Sequence, residues 1–498
     1  MADQGTPGES GATAGRKAGT EEHGHTAATA VLLAGAAALG GFLFGYDSSV
    51  INGAVGAVES QFHLGSVAVG LVVSSALLGC AAGAWFAGPL ADRMGRVRVM
   101  LVSALLFVIS SVGSALAFAA WDLTLWRFVG GLAIGAASVI APAYIAEIAP
   151  ADLRGRLGSL QQMAIVLGIF AALVVDYVIA RVSDGGASGE FPWGGTAWRW
   201  MFASAAVPAV IWGVIAMTIP ESPRYLVKKR RPAAAREALA RVMDPREVDT
   251  KIDEIRRSLA RDRPVRLGDL RGSRFGLLPI VWVGILLSVF QQFVGINVIF
   301  YYSTELWQAV GFSENDAMLT SVINSLVNVA ATLVAIALVD KVGRRPLLLA
   351  GAAGMTVTLG VMTACFATAP VVDGEPSLGD VGGPVALVAA NLYVVSFAAT
   401  WGPVVWVMLG EMFSNFIRAS ALAVAAAAQW LANWAITTTF PGLSGVSLGL
   451  AYGIYTVFAA LAFLFVMRAV PETKGRELED MDTLEGPRRR RAGRARVS

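Results

Sequence analysis

Of 498 residues, few side chains are placed to do chemistry, and most of those lie inside apolar runs. Asp47 ends a run that begins near Ala27, within "GFLFGYDSSVING". Gln291, Gln292, Asn297, Tyr301 and Tyr302 crowd another, "QQFVGINVIFYY". Unpaired polar groups are costly in hydrocarbon, so such residues either stitch helices together or face a ligand. A carboxylate in that setting pairs, faces water or takes up a proton. Nucleophile and metal chemistry find no support. Of the three histidines, His23 and His25 lie in a polar leading stretch and His63 in a loop. Cys80 and Cys365 sit in apolar runs and read as packing residues, with no disulfide framework or zinc site. The chain is not an enzyme on this reading, and neither metal nor organic cofactor is expected.

The elements that position these residues follow from composition. The chain is 55% hydrophobic and 15% charged, with a mean hydropathy of +0.61. Soluble domains carry about a quarter charged residues, so this is the composition of a polytopic membrane protein. A net charge of +3 is too small to argue for a nucleic-acid partner.

A helix crosses the bilayer in about 20 apolar residues. The hydropathy predicts twelve spans: 27–52, 66–90, 97–119, 123–148, 157–180, 198–219, 276–302, 316–339, 346–368, 385–410, 418–440 and 447–469. Runs such as "AGAAALGG" and "GCAAGAWFAG" let helices approach closely, which predicts a bundle. The connections after spans 2, 4, 6, 8 and 10 carry Lys or Arg. Those after spans 1, 7, 9 and 11 carry none, and only Arg181 and Arg199 flanking the loop after span 5 dilute the pattern. This places both termini and the even-numbered connections in the cytoplasm.

The fold class is therefore an all-α membrane protein of two six-helix halves. Residues 1–25 read as a disordered cytoplasmic tail, because the order of a signal peptide is absent. Residues 26–219 form the N-terminal half and 276–476 the C-terminal half. Between them, 220–275 is a cytoplasmic linker in which "PAAAREALARVM" and "VDTKIDEIRRSLA" have the spacing of short amphipathic helices. Residues 477–498 are a basic cytoplasmic tail.

The halves repeat. "DRMGR" at Asp92 returns as "DKVGRR" at Asp340, "PESPR" at Pro220 returns as "PETKG" at Pro471, and Glu147 and Arg154 share their spacing with Glu411 and Arg418. Such a duplication is typical of transporters that hold substrate between two halves near the midplane.

With "GPLADRMGR", "PESPR", "QQFVGINVIFYY", "DKVGRRP", "GPVVWVMLGEMF" and "VPETKG" in order, the chain resembles the sugar porter family of the major facilitator superfamily over about residues 30–476. The resemblance implies twelve transmembrane helices, a monosaccharide or polyol as substrate, alternating access, and a protein of the cell membrane that works as a monomer. A sugar offers hydroxyls and an apolar face, which suit amides, hydroxyls and indoles. The resemblance assigns sugar binding to Gln162, Gln291, Gln292, Asn297, Asn328, Trp406 and Trp430. Tyr301 lies a turn beyond Asn297, and Asn433 is a neighbour of Gln429 and Trp430. Where a pentose-carrying relative has glutamine and leucine, this chain has Ile169 and Phe300, which favours a hexose, glucose first. Val405 departs from the proline that many glucose facilitators carry there, although Gly402-Pro403 remains.

At the cytoplasmic ends, Asp92, Arg93, Arg96, Glu147 and Arg154, with Asp340, Arg344, Arg345, Glu411 and Arg418 as their repeat, form a charge network. The resemblance makes it a gate whose pairs separate when that face opens; otherwise these residues only set topology. Glu221, Arg224, Glu472 and Lys474 belong with it.

Arg127 is the basic residue well inside span 4. Asp47 lies about 20 residues into span 1 from the cytoplasm and Arg127 a few residues into span 4 from outside, so both fall in the outer half of the bilayer and can pair. Proton-coupled members of the family resemble the chain at both places, whereas passive facilitators usually have asparagine for the aspartate. The expected function is proton-coupled glucose symport, with protons as the coupling ion. A passive hexose facilitator and a pentose or polyol symporter are the alternatives. A non-transporting sugar receptor would need a folded cytoplasmic extension, and both tails are short.

Overall fold

The computed structural model describes residues 10–474 except 149–153, 262–269, 275, 310, 370, 373–374, 377 and 414–416. The basic tail from 477 lies outside the described residues. Among the described residues, eleven helices are long and apolar enough to cross a membrane. The twelfth expected span is the 29-residue helix Arg418–Val446; Gln429, Asn433 and Thr437 to Thr439 make it less apolar than the others.

In the N-terminal half the spans are span 1 (Ser10–Phe62), span 2 (Ser66–Met94), span 3 (Arg96–Ala115), span 4 (Ala120–Ile148), span 5 (Arg154–Val182) and span 6 (Ala197–Ser204 with Ala206–Ala216). The C-terminal half has span 7 (Pro279–Phe293 with Ile296–Tyr301), span 8 (Glu314–Val342), span 9 (Arg344–Ala367), span 10 (Gly379–Ser396 and Gly402–Glu411), span 11 (Arg418–Val446) and span 12 (Leu448–Ala469). Span 1 corrects one expectation. Its helix begins at Ser10, so residues 10–25 continue the span as helix and are not a disordered tail. The stretch contains no proline and has Ala, Lys and Glu among its residues, which prolong a helix already formed.

Within the halves, span 2 packs on span 4 and span 1 on span 5; across them, span 11 meets span 2 and span 8 meets span 5. Small residues permit the first contact: a Cβ added at Gly83 would lie 2.1 Å from the Leu132 carbonyl oxygen. The duplication is visible in the backbone. Gly95 (φ 98°) and Gly343 (φ 103°) make the same turn between the second and third spans of each half. The linker forms helices Pro223–Lys228, Pro232–Ala240 and Pro245–Arg261, which bury Leu226, Ala235, Leu239, Val248 and Ile252 in a small core of their own.

Candidate functional site

Span 7 is not the continuous helix that its hydropathy suggests. It breaks at Gly295 (φ 85°), a backbone geometry that favours glycine. The Val294 carbonyl released by the break accepts the Tyr393 hydroxyl at 2.7 Å. The break sets Gln291 and Gln292 at the end of one helix and Asn297, Phe300 and Tyr301 on a short second one.

The amides form a chain. Asn297 donates to Gln292 Oε1, Gln292 donates to Gln291 Oε1 at 3.4 Å, and Gln291 Nε2 donates to the carbonyls of Trp401 (3.0 Å) and Gly402 (3.3 Å). Those two carbonyls lie at the wide helical turn Phe397–Trp401 of span 10. The turn follows from Pro403, which has no N–H to continue the ladder. Span 10 therefore bends at Gly402-Pro403, with Val405 helical and fully buried.

One large cavity runs between the halves from these amides to the side that the charge pattern assigns to the cytoplasm, where Lys228, Arg256 and Lys341 line its mouth. The structure brings all ten sugar-facing candidates onto its wall: Gln162, Ile169, Gln291, Gln292, Asn297, Phe300, Tyr301, Asn328, Trp406 and Trp430. Trp430 is held edge-on by Phe44 (centroids 5.4 Å apart), while Trp406 keeps 39% of its surface exposed. An indole so placed offers an apolar face and an N–H. Gln161, Thr332 and Ser48, which sequence reasoning had not singled out, are among the further polar residues on the wall. Gln161 has a buried Oε1 without a hydrogen-bond partner among the described residues. Its place next to Gln162 in an apolar span was the available signal.

Asp47 and Arg127, whose depths allow a pair, come together. Arg127 Nη1 lies 3.8 Å from Asp47 Oδ1, and both side chains are buried. The contact is longer than a charge-assisted hydrogen bond, and Arg127 Nε has no acceptor among the described residues. The guanidinium also lies 5.6 Å from the centre of the Phe202 ring. A small void beside the pair is walled by Phe44, Ser48 and Tyr301, and the same three residues line the large cavity. They form the partition between the two. Asp176 in span 5 was not singled out from sequence. It is 1% exposed and packs against Gly53 of span 1, whose backbone N–H is the donor that acts on its carboxyl; neither oxygen makes a full hydrogen bond among the described residues.

At the cytoplasmic ends the charges form two matched clamps. Arg96 pairs with Glu147 at 2.9 Å and Asp92 at 3.4 Å, Asp92 also meets Lys228 at 2.9 Å, and Ser222 donates to Glu147. In the repeat, Arg344 grips Glu411 with two bonds of 2.8 and 3.0 Å, and Thr473 donates to Glu411 at 2.6 Å. Glu221 accepts the Arg96 amide, while Glu472 accepts those of Arg344 and Arg345. Burial of Glu472 is outweighed by the N–H groups of Lys474, Arg344, Arg345 and Thr473, which hold its carboxyl below the ordinary range. Tyr225 donates to the Arg93 carbonyl, and Arg345 donates to the Met467 carbonyl. The side chains of Arg154, Asp340 and Arg418 lie outside the described residues.

These pairs correct the gate expectation in one respect. Every ion pair among the described residues joins groups of the same half or its linker, and the clamps stay formed although the cytoplasmic side is open. A pair within a rigid half has no reason to break when the halves part. The outer side is shut instead. Thr304 N donates to Asn52 Oδ1 at 2.9 Å, Ala187 N to Glu314 Oε1 at 2.8 Å, and Thr438 Oγ1 to Ser74 Oγ at 2.7 Å, each across the halves.

Comparison with known proteins agrees with this architecture. Residues 33–484 match the family described as Sugar (and other) transporter. A glucose transport protein of Synechocystis is 55% identical over 91% of this chain and 96% of its own. A D-xylose-proton symporter of Escherichia coli is 39% identical over 91% of this chain and 94% of its own. Two solved structures of the xylose transporter from E. coli superpose well. The inward-open form has a TM-score of 0.75 at 37% identity, over 90% of this chain and 98% of that one. The partially occluded inward-open form has a TM-score of 0.77 at 35% identity, over 89% and 100%.

Proposed function

The chain belongs to the sugar porter family of the major facilitator superfamily, and from that premise we propose that it is a proton-coupled monosaccharide symporter with glucose as its first substrate. It works by alternating access in the cell membrane, as a monomer, with both termini in the cytoplasm. Protons are the coupling ion. The observation that carries the reading is the partition. Tyr301, Phe44 and Ser48 face the sugar cavity on one side and the Asp47–Arg127 pair on the other.

Ionised Asp47 attracts Arg127 in a medium where charges are poorly screened. When Asp47 takes a proton the attraction disappears and the pair separates at little cost. Sugar on Asn297, Gln292 and Trp406 and a proton on Asp47 therefore act on the same wall between spans 1 and 7. Ile169 and Phe300 on the cavity wall favour a hexose over a pentose.

Uptake into proteoliposomes with and without an imposed proton gradient tests the proposal. The unaltered chain accumulates glucose uphill only with the gradient. Asp47→Asn keeps sugar exchange and loses accumulation. Equal accumulation by that variant would leave the chain a symporter without this coupling site, and gradient-independent uptake by the unaltered chain would make it a passive facilitator.

A further inference from the structure

The segment from Ser303 to Glu314, between spans 7 and 8, closes the outer side against the N-terminal half. Two of its contacts are the hydrogen bonds Thr304 to Asn52 and Ala187 to Glu314. The third has no hydrogen bond. The Glu305 carboxyl sits against span 1 at Gly56, where a Cβ would lie 2.5 Å from Oε1. Gly56 leaves the seat that the carboxyl occupies.

The charged groups that act on Glu305 are Glu59 from span 1 and Glu314 at the start of span 8, and the Tyr302 phenol is near it on its own segment. No hydrogen bond or ion pair to the Glu305 carboxyl is found among the described residues. Glu305 is half-buried here, so closing the gate takes part of a carboxyl out of water and brings it towards two others. Burial first, then Glu59 and Glu314, push Glu305 up to about 7.

We propose that Glu305 is a second proton-binding residue of the transport cycle, which takes a proton from the outside as the outer gate closes on Gly56 and returns it when the gate opens. The proposal rests on the transport reading above but not on Asp47. Its linkage has a definite sign. The closed gate holds the raised value, and the open gate, with water on the carboxyl, the ordinary value near 4.5. Protonation therefore favours closure fully below that ordinary value, and the advantage is lost as pH rises through about 7. A shift of this size changes the closed-to-open ratio by up to a few hundredfold, at roughly tenfold per pH unit.

The test measures gate distance against pH. Ser60→Cys and Asn315→Cys, both exposed, carry spin labels on opposite sides of the outer gate, with Cys80 and Cys365 replaced by serine and Asp47→Asn removing the inner carboxyl. In nanodiscs the closed, short-distance population grows as pH falls from 8 to 5. Glu305→Gln makes it independent of pH, while Glu305→Asp keeps the dependence. No pH dependence in the parent, or the same dependence in Glu305→Gln, would overturn the proposal. Should Glu305→Gln fail to fold, Gly56→Ala decides, because filling the seat must move closure to lower pH. Unmoved closure refutes the proposal. Failure of the symport reading shows separately, as absent proton-driven accumulation by the unaltered chain.

Discussion

Gln291 Nε2 donates to the Trp401 carbonyl at 3.0 Å and so ties the amide end of span 7 to the wide turn of span 10. The side chain is 3% exposed, so its first task is to hold the two bent spans in register and to present Gln292 and Asn297 to the cavity. Gln291→Ala frees two buried carbonyls and releases the amide chain. A buried hydrogen bond of this kind contributes about 1–2 kcal/mol. The expected result is a rise in the KM for glucose exchange of roughly 10-fold, at about 1.4 kcal/mol per factor of ten. Unchanged KM and unchanged thermal stability would refute the positioning role.

Gly295 is held at φ 85° with the Tyr455 ring 2.6 Å from where a Cβ would stand. Gly295→Ala meets both a left-handed backbone and an aromatic wall, so a loss of about 1–3 kcal/mol is expected. Thermal unfolding in detergent should shift down, and glucose binding should weaken because Asn297 and Tyr301 lie just beyond the break. A variant that melts with the parent would show that the helix relaxes freely there.

Asp176 is buried against Gly53 with no cation paired to it among the described residues, and the Gly53 N–H that acts on its carboxyl can be accepted equally by the oxygen of an amide of the same shape. Asp176→Asn should retain proton-driven uptake within about twofold, the range of a substitution worth no more than about half a kcal/mol. Gly53→Ala should be damaging, since its Cβ would lie 2.7 Å from the Asp176 Cβ. Loss of accumulation in Asp176→Asn would show that the carboxyl itself takes part in transport.

Glu472 receives the amides that begin span 9, and these hold its carboxyl below the ordinary value near 4.5. A depressed carboxyl stabilises the fold above its ordinary value, and that contribution fades as pH falls through the lowered one. The melting temperature of the unaltered chain should therefore fall on acidification below about pH 5, and Glu472→Gln should show a shallower fall from a lower plateau. Parallel curves for the two proteins would rule out this linkage.

The spans, their expected sidedness and the duplication could be read from the chain because each depends on a one-dimensional quantity. Transfer cost adds residue by residue, and Lys and Arg are counted loop by loop. The same arithmetic allowed Asp47 to be matched in depth with Arg127, while the ten residues found on the cavity wall were named chiefly by the family resemblance. Gln161 and Asp176 were missed for a physical reason. Hydropathy averages over a window, so one amide or carboxyl in an apolar helix does not reveal which neighbour it faces. The break at Gly295 escaped likewise, since a glycine inside an apolar run is as compatible with close packing as with a left-handed turn.

By itself, then, the sequence determined twelve expected spans with a carboxylate and an arginine at one depth, because burial cost and charge asymmetry are local, and the order of its motifs carried the resemblance to the sugar porters. The tertiary structure decided which groups meet. It spent the Gln291 donor on span 10, kept the Arg96 and Arg344 clamps within their own halves, and shut the outer side on Glu305. Those outcomes depend on how two rigid bundles tilt against each other, and the chain is built to occupy more than one such tilt.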